Sequence, residues 1–119
     1  MVVVVDDQED IRELLAMFLE SELNVQTIQF ALAKDALEYI KKEPASIEAI
    51  LSDYNLSDLN GFVLFEKMSH LSIPCILLTG EQQPGTQEQM SHFLEASKNR
   101  FLLKPIDAED IVKVVKSLL

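Results

Sequence analysis

Met1-Val2-Val3-Val4-Val5-Asp6-Asp7 decides how the rest of the chain is read. Four consecutive valines leave no polar side to turn toward water, which suits a strand covered on both faces. Two adjacent acids close the run, where such a strand would deliver its carboxyl end to solvent. The same sentence structure recurs downstream. Val25 to Phe30, Ile47 to Ser52, Cys75 to Leu78 and Arg100 to Leu103 are short runs, each followed by polar or turn-forming residues. Val25-Gln26-Thr27-Ile28-Gln29-Phe30 alternates apolar with polar residues and predicts a strand at a sheet edge.

Helical period fills the intervals. Ile11, Leu14, Leu15, Phe18 and Leu19 form one stripe; Ala33, Ala36, Leu37 and Ile40 form a second, stopped by Pro44. Gly61, Leu64, Phe65 and Met68 mark a third helix. Thr86 with Gln89 reads as a capping box for a fourth, carrying Met90, Phe93 and Leu94. Asp107 and Asp110 start a fifth with Ile111, Val114, Val115 and Leu118 inward. Five βα units in succession predict an α/β fold with a parallel sheet, since each helix crosses over right-handed to bring the next strand alongside. The expected architecture is a flavodoxin-like, doubly wound (βα)5 domain with strand order 2-1-3-4-5. Residues 1–119 read as one domain, either a whole protein or one cut from a longer chain.

Composition narrows the function. The 20 acidic and 10 basic residues leave a net charge of −10, which repels phosphate backbones and anionic lipid and argues against direct nucleic-acid binding. The single Cys75 excludes an internal disulfide framework and sits in an apolar run as a core residue. No apolar stretch approaches the roughly 20 residues of a membrane span, and no leader pattern opens the chain, so the expected compartment is the cytoplasm.

In an open parallel sheet, ligands bind beyond the carboxyl ends of the strands. Asp6-Asp7 follows the first strand, Asp53 the third, Thr79 the fourth and Lys104-Pro105 the fifth. Three carboxylates, a hydroxyl and an ammonium therefore converge on one rim. Carboxylates held close repel one another, and a hard divalent cation such as Mg²⁺ relieves the conflict. Asp7, Asp53 and the backbone carbonyl of Asn55 are the expected direct ligands, with Asp6 reaching the ion through water. Phosphoryl transfer onto Asp53 follows: the carboxylate is already a nucleophile, Lys104 supplies positive charge, and Thr79 donates to a phosphoryl oxygen.

The chain resembles the CheY-like receiver domains of two-component response regulators over its whole length. The resemblance rests on the acid pair after the valine run, Asp53 after an apolar strand, Thr79-Gly80 ending the fourth strand and Lys104-Pro105 ending the fifth. It implies a phosphoprotein in a phosphorelay, with Asp53 as acceptor and a sensor histidine kinase or histidine phosphotransfer protein as donor. It further implies a switch in which Thr79 turns toward the phosphoryl group and Phe101, three residues before the lysine, swings inward. That change would remodel the face of the fourth helix, fifth strand and fifth helix. The same face would meet an effector domain or target protein, or a second copy in a homodimer. Asn55 and Glu81, flanking the site, would tune hydrolysis of the acyl phosphate.

Departures from the family pattern are Ser57 in place of a proline, Asn60-Gly61 for Asp-Gly, Ser97-Lys98-Asn99-Arg100 without a Gly-Ala pair, and Pro84-Gly85 in a longer fourth loop. Phe101 also lacks the hydroxyl of the commoner tyrosine. Plain structural roles compete at several positions. Asp6 and Asp7 suit a helix N-terminus, and Thr79-Gly80 suits an ordinary turn. Arg12 and Lys41-Lys42 read as solvated helix faces, and His70 and His92 as surface residues. The rival functions are a phosphorylation-independent docking receiver, an aspartyl-phosphate phosphohydrolase and a flavodoxin. The hydrolase needs Asp-x-Asp where this chain has Asp6-Asp7-Gln8, so a turnover enzyme is not expected; the flavodoxin needs a phosphate loop where this chain has acids.

Overall fold

The computed structural model describes residues 1–119. Its elements alternate: β1 (Val2–Val5), α1 (Glu9–Leu23), β2 (Thr27–Phe30), α2 (Ala33–Lys42), β3 (Ala49–Asp53), α3 (Gly61–Met68), β4 (Cys75–Thr79), α4 (Gln87–Glu95), β5 (Arg100–Leu103) and α5 (Ala108–Leu118). The strands form one parallel sheet in the order β2-β1-β3-β4-β5. This is the flavodoxin-like winding that the alternation predicts, with β2 at an edge.

The valine run explains the layering. Successive side chains of a strand point to opposite faces. Val3 and Val5 join the core beneath α2, α3 and α4, with Ala36, Ile40, Phe62, Phe65 and Phe93. Val2 and Val4 join the core beneath α1 and α5, with Leu15, Leu19, Ile111 and Val115. All four valines are essentially sealed from solvent. Phe101 on β5 packs on the first side, its ring 6.1 Å from Phe62, 6.3 Å from Phe93 and 6.5 Å from Tyr54.

Several local expectations need correction. β2 starts at Thr27 rather than Val25, because Asn24 closes α1 in the left-handed region (φ 54°) and the next two residues carry the chain to the sheet. In α1 the buried stripe is Leu15, Ala16 and Leu19; Ile11 and Leu14 are exposed, since only α5 and one face of the sheet lie against this helix. Leu94 is likewise exposed, and Phe93 is the one residue α4 buries fully. The Thr86–Gln89 capping box is present in both directions, whereas Asp107 precedes α5 without a side-chain capping bond. Cys75 is buried, and desolvation pushes its thiol up to about 12. Where the family's Gly-Ala pair is missing, buried Asn99 accepts from Cys75 N at 2.9 Å and donates to the Phe93 carbonyl at 2.8 Å, tying β4 to the end of α4. No helix is long and apolar enough to cross a membrane.

Candidate functional site

Parallel pairing sets every strand's carboxyl end on the same edge of the sheet. Val5 is level with Ser52 on β3, Asp53 with Leu78 on β4, and Thr79 with Leu103 on β5. Asp6, Asp53, Thr79 and Lys104 therefore emerge side by side although they are spread over nearly the whole chain. Carboxylate oxygens of Asp6, Asp7 and Asp53 all lie within 4.8 Å of one another. Asp6 and Asp53 are buried and Asp7 is exposed, so the cluster opens to solvent on one side.

Burial pushes the Asp6 carboxyl above its ordinary value. The Gln8 amide opposes this by donating to Asp6 Oδ1 at 2.9 Å, Asp53 and Asp7 add to it, and Lys104 works against it. Lys104 Nζ donates to Asp53 Oδ1 at 3.0 Å. Its backbone N–H donates to the Thr79 carbonyl at 2.7 Å, which fixes the root of the side chain beside the end of β4. The buried Thr79 hydroxyl accepts from the Glu81 amide at 3.1 Å and keeps its own proton for another acceptor. Asn55 sits just past β3, bridged to Asn60, and its carbonyl takes none of the loop's hydrogen bonds. The arrangement can hold a hard cation and can place positive charge on two sides of Asp53.

Phe101 is not part of this rim. It lies among Tyr54, Phe62 and Phe93, turned toward the core. His70 is exposed, as is His92, which contacts Glu66 at 3.1 Å and Glu95 at 3.5 Å.

Two residues escaped the sequence reading. Arg12 is not a freely solvated side chain: it donates to the Asp6 carbonyl at 2.9 Å and to Gln29 Oε1 at 3.2 Å, lacing α1 to the ends of β1 and β2. Its place one turn into the helix behind the acid pair was the available signal. Asp58 accepts from the backbone amides of Ala33 at 3.0 Å and Lys34 at 2.9 Å, at the start of α2. Desolvation raises its carboxyl, but the amides of Lys34, Ala33, Asp58 itself and Leu59 together outweigh this and hold it below the ordinary value. Nothing local in the sequence marks that contact.

The comparisons with known proteins agree with this geometry. The chain is 29% identical to the rice two-component response regulator ORR7 (Oryza sativa subsp. japonica), over 99% of this chain and 56% of that protein. It is 28% identical to the transcriptional regulatory protein SrrA of Staphylococcus aureus, over 99% of this chain and 47% of that protein. It thus spans about half the length of each. A CheY-like receiver domain structure from Methanospirillum hungatei superposes with a TM-score of 0.82 at 26% identity, over 98% of this chain and 90% of the other. The model of the response regulator receiver domain matches residues 2–116. With that match running from the valine strand into the last helix, the chain belongs to the response regulator receiver domain family.

Proposed function

We propose that this domain is a phosphorylation-controlled switch, in which Asp53 accepts a phosphoryl group from a histidine kinase or a histidine phosphotransfer protein. One observation carries the reading. The Asp53 carboxylate that Lys104 contacts at 3.0 Å also belongs to the three-acid cluster. The donors at the cluster are hard oxygens: the carboxylates of Asp6, Asp7 and Asp53 and the unengaged carbonyl of Asn55. They suit Mg²⁺, which prefers oxygen ligands and retains several waters. When bound, Mg²⁺ supplies positive charge that offsets the acids and the oxygens of an incoming phosphoryl group.

The chain's own residues supply the rest. An Asp53 oxygen attacks phosphorus, forming a P–O bond as the P–N bond of the donor phosphohistidine breaks. The electron pair returns to the imidazole, which takes a proton from solvent. Asp53 needs no general base, being an anion already. The Lys104 ammonium neutralises oxygens on its side, and the Thr79 hydroxyl donates its free proton to the new group. The phosphoryl group ends on the protein, so the domain undergoes a single transfer rather than turnover.

A new dianionic group beside Thr79 and Lys104 biases β4, β5 and the helices that flank them. We place the output on the α4–β5–α5 face, where Leu94 and Leu103 are exposed. An effector domain, a target protein or a second copy would engage it there.

Incubation with Mg²⁺ and acetyl phosphate, read by intact mass, tests the proposal. A single phosphoryl adduct that requires Mg²⁺ and is absent in Asp53→Asn supports it. An unmodified mass with Mg²⁺ binding intact, persisting with a phosphorylated histidine donor, would favour docking without phosphorylation.

A further inference from the structure

Asp58 caps a helix to which it does not belong. α2 begins after Leu32, whose backbone is extended (φ −118°, ψ 139°) and whose side chain offers no capping oxygen. The first amides of a helix have no partner within it. Here Ala33 N donates to Asp58 Oδ1 at 3.0 Å and Lys34 N to Oδ2 at 2.9 Å, from 25 and 24 residues away in sequence. Leu59 N also donates to Oδ1, at 3.1 Å. Both carboxylate oxygens are therefore used, and their negative charge faces the positive end of α2.

Asp58 is at the tip of the loop that leaves β3 at Asp53 and enters α3 at Gly61. The stem of that loop is clamped. Tyr54 N donates to the Leu78 carbonyl and Gly61 N to the Tyr54 carbonyl, both at 2.7 Å, and Asn55 is bridged to Asn60. Asn60 in turn accepts from Val63 N at 3.0 Å and caps α3. The tip has fewer ties: Leu56 and Leu59 are only partly buried against the core. Asn55 is the outermost clamped residue, and its carbonyl, free of the loop's hydrogen bonds, leads directly into the tip.

We propose that Asp58 is a positioning residue for the phosphoryl site. By docking the loop tip on α2 it orients the Asn55 carbonyl and stiffens the chain leaving Asp53. The inference rests on the reading of Asp53 as an Mg²⁺-dependent phosphoryl acceptor, and it adds α2 to the elements that govern that site. Leu32 makes the arrangement obligatory, because α2 gains its cap only when the loop is docked.

Four forms of the full chain separate positioning from helix capping: wild type, Asp58→Ala, Leu32→Ser, and the double variant. Serine at the capping position supplies a local oxygen and makes Asp58 redundant for α2 alone. Each form is measured for melting temperature, for Mg²⁺ affinity by calorimetry, and for the rate of phosphoryl uptake from acetyl phosphate. Asp58→Ala should melt earlier and bind Mg²⁺ about tenfold more weakly, the scale seen when a support behind a metal ligand is removed. The double variant should regain the melting temperature but not the affinity. Recovery of both, or a wild-type affinity in Asp58→Ala, overturns the proposal and leaves Asp58 a cap only. Should Asp58→Ala not fold, the double variant and Asp58→Asn, which keeps one acceptor oxygen, carry the same comparison. A wild type that takes no phosphoryl group and binds no Mg²⁺ overturns the functional reading itself, a pattern distinct from the others.

Discussion

Lys104 and Asp53 are 51 residues apart in the chain and 3.0 Å apart in space. The pairing joins the end of β5 to the end of β3 across the intervening β4, so it reports on the whole register of that half of the sheet. The lysine side chain is about one-third exposed and the aspartate nearly buried, so one aspartate oxygen carries an ammonium while water still reaches the pair.

Lys104→Met therefore removes charge from the transfer step without emptying the acid cluster. Phosphoryl uptake from acetyl phosphate should fall by about 10²-fold, the usual cost of losing one donor aimed at developing charge. Mg²⁺ affinity, measured by calorimetry, should hold or rise, because a cation that competes for the acids is gone. A parallel fall in both would place Lys104 in building the site rather than in the transfer.

Asp6→Asn has the opposite profile. The Asp6 carboxylate is buried beside two others, and what offsets its charge is the Gln8 amide and the nearby ammonium. The amide oxygen of asparagine keeps the Gln8 bond while one of three repelling charges is removed. The metal-free protein should melt higher than wild type at neutral pH, and the gain in melting temperature on adding Mg²⁺ should shrink. Unchanged melting in both conditions would contradict the cluster's cost.

Asp58 gives a prediction in acid. Its carboxyl lies below the ordinary value of 3.8 in the folded chain. The folded state therefore holds its proton less tightly than the unfolded state. Its contribution is complete above the ordinary value and disappears as pH falls through the lower folded value. The stability gap between wild type and Asp58→Asn should be constant near neutrality and narrow in strong acid. Melting curves across that range measure it, and a gap that widens on acidification would reverse the sign.

What the sequence made legible followed from periodicity and from strand ends. Asp6, Asp7, Asp53, Thr79 and Lys104 stand at strand ends or just past them, and parallel pairing brings those ends together. Other features depend on what lies opposite in space. Ile11 and Leu14 fit the helical stripe of α1, yet a stripe gives a direction and not the width that α5 and the sheet will cover. Asp58 and Arg12 are polar residues whose partners include backbone groups outside their own elements. Any backbone group is an eligible partner, so side-chain pattern alone does not make the choice. Asn99 is similar: a departure from the family pattern turns out to be a buried tie between β4 and α4.

Phe101→Ala tests the aromatic cluster behind the rim. Phe101 stacks near Phe62 with the rings 24° from parallel and meets Tyr54 and Phe93 edge-on. Full burial would set the loss at about 3–5 kcal/mol for truncation to alanine. Phe101 is only partly buried, whereas Phe62 is 2% exposed. Urea unfolding should therefore show a loss of about 2 kcal/mol for Phe101→Ala, below that cavity-forming range, and a larger one for Phe62→Ala. Phosphoryl uptake should stay near wild type in Phe101→Ala, because the ring packs in the aromatic cluster with Tyr54, Phe62 and Phe93 and, on the proposed reading, acts after the transfer. A large fall in uptake with little loss of stability would move Phe101 from the output of the switch to its input.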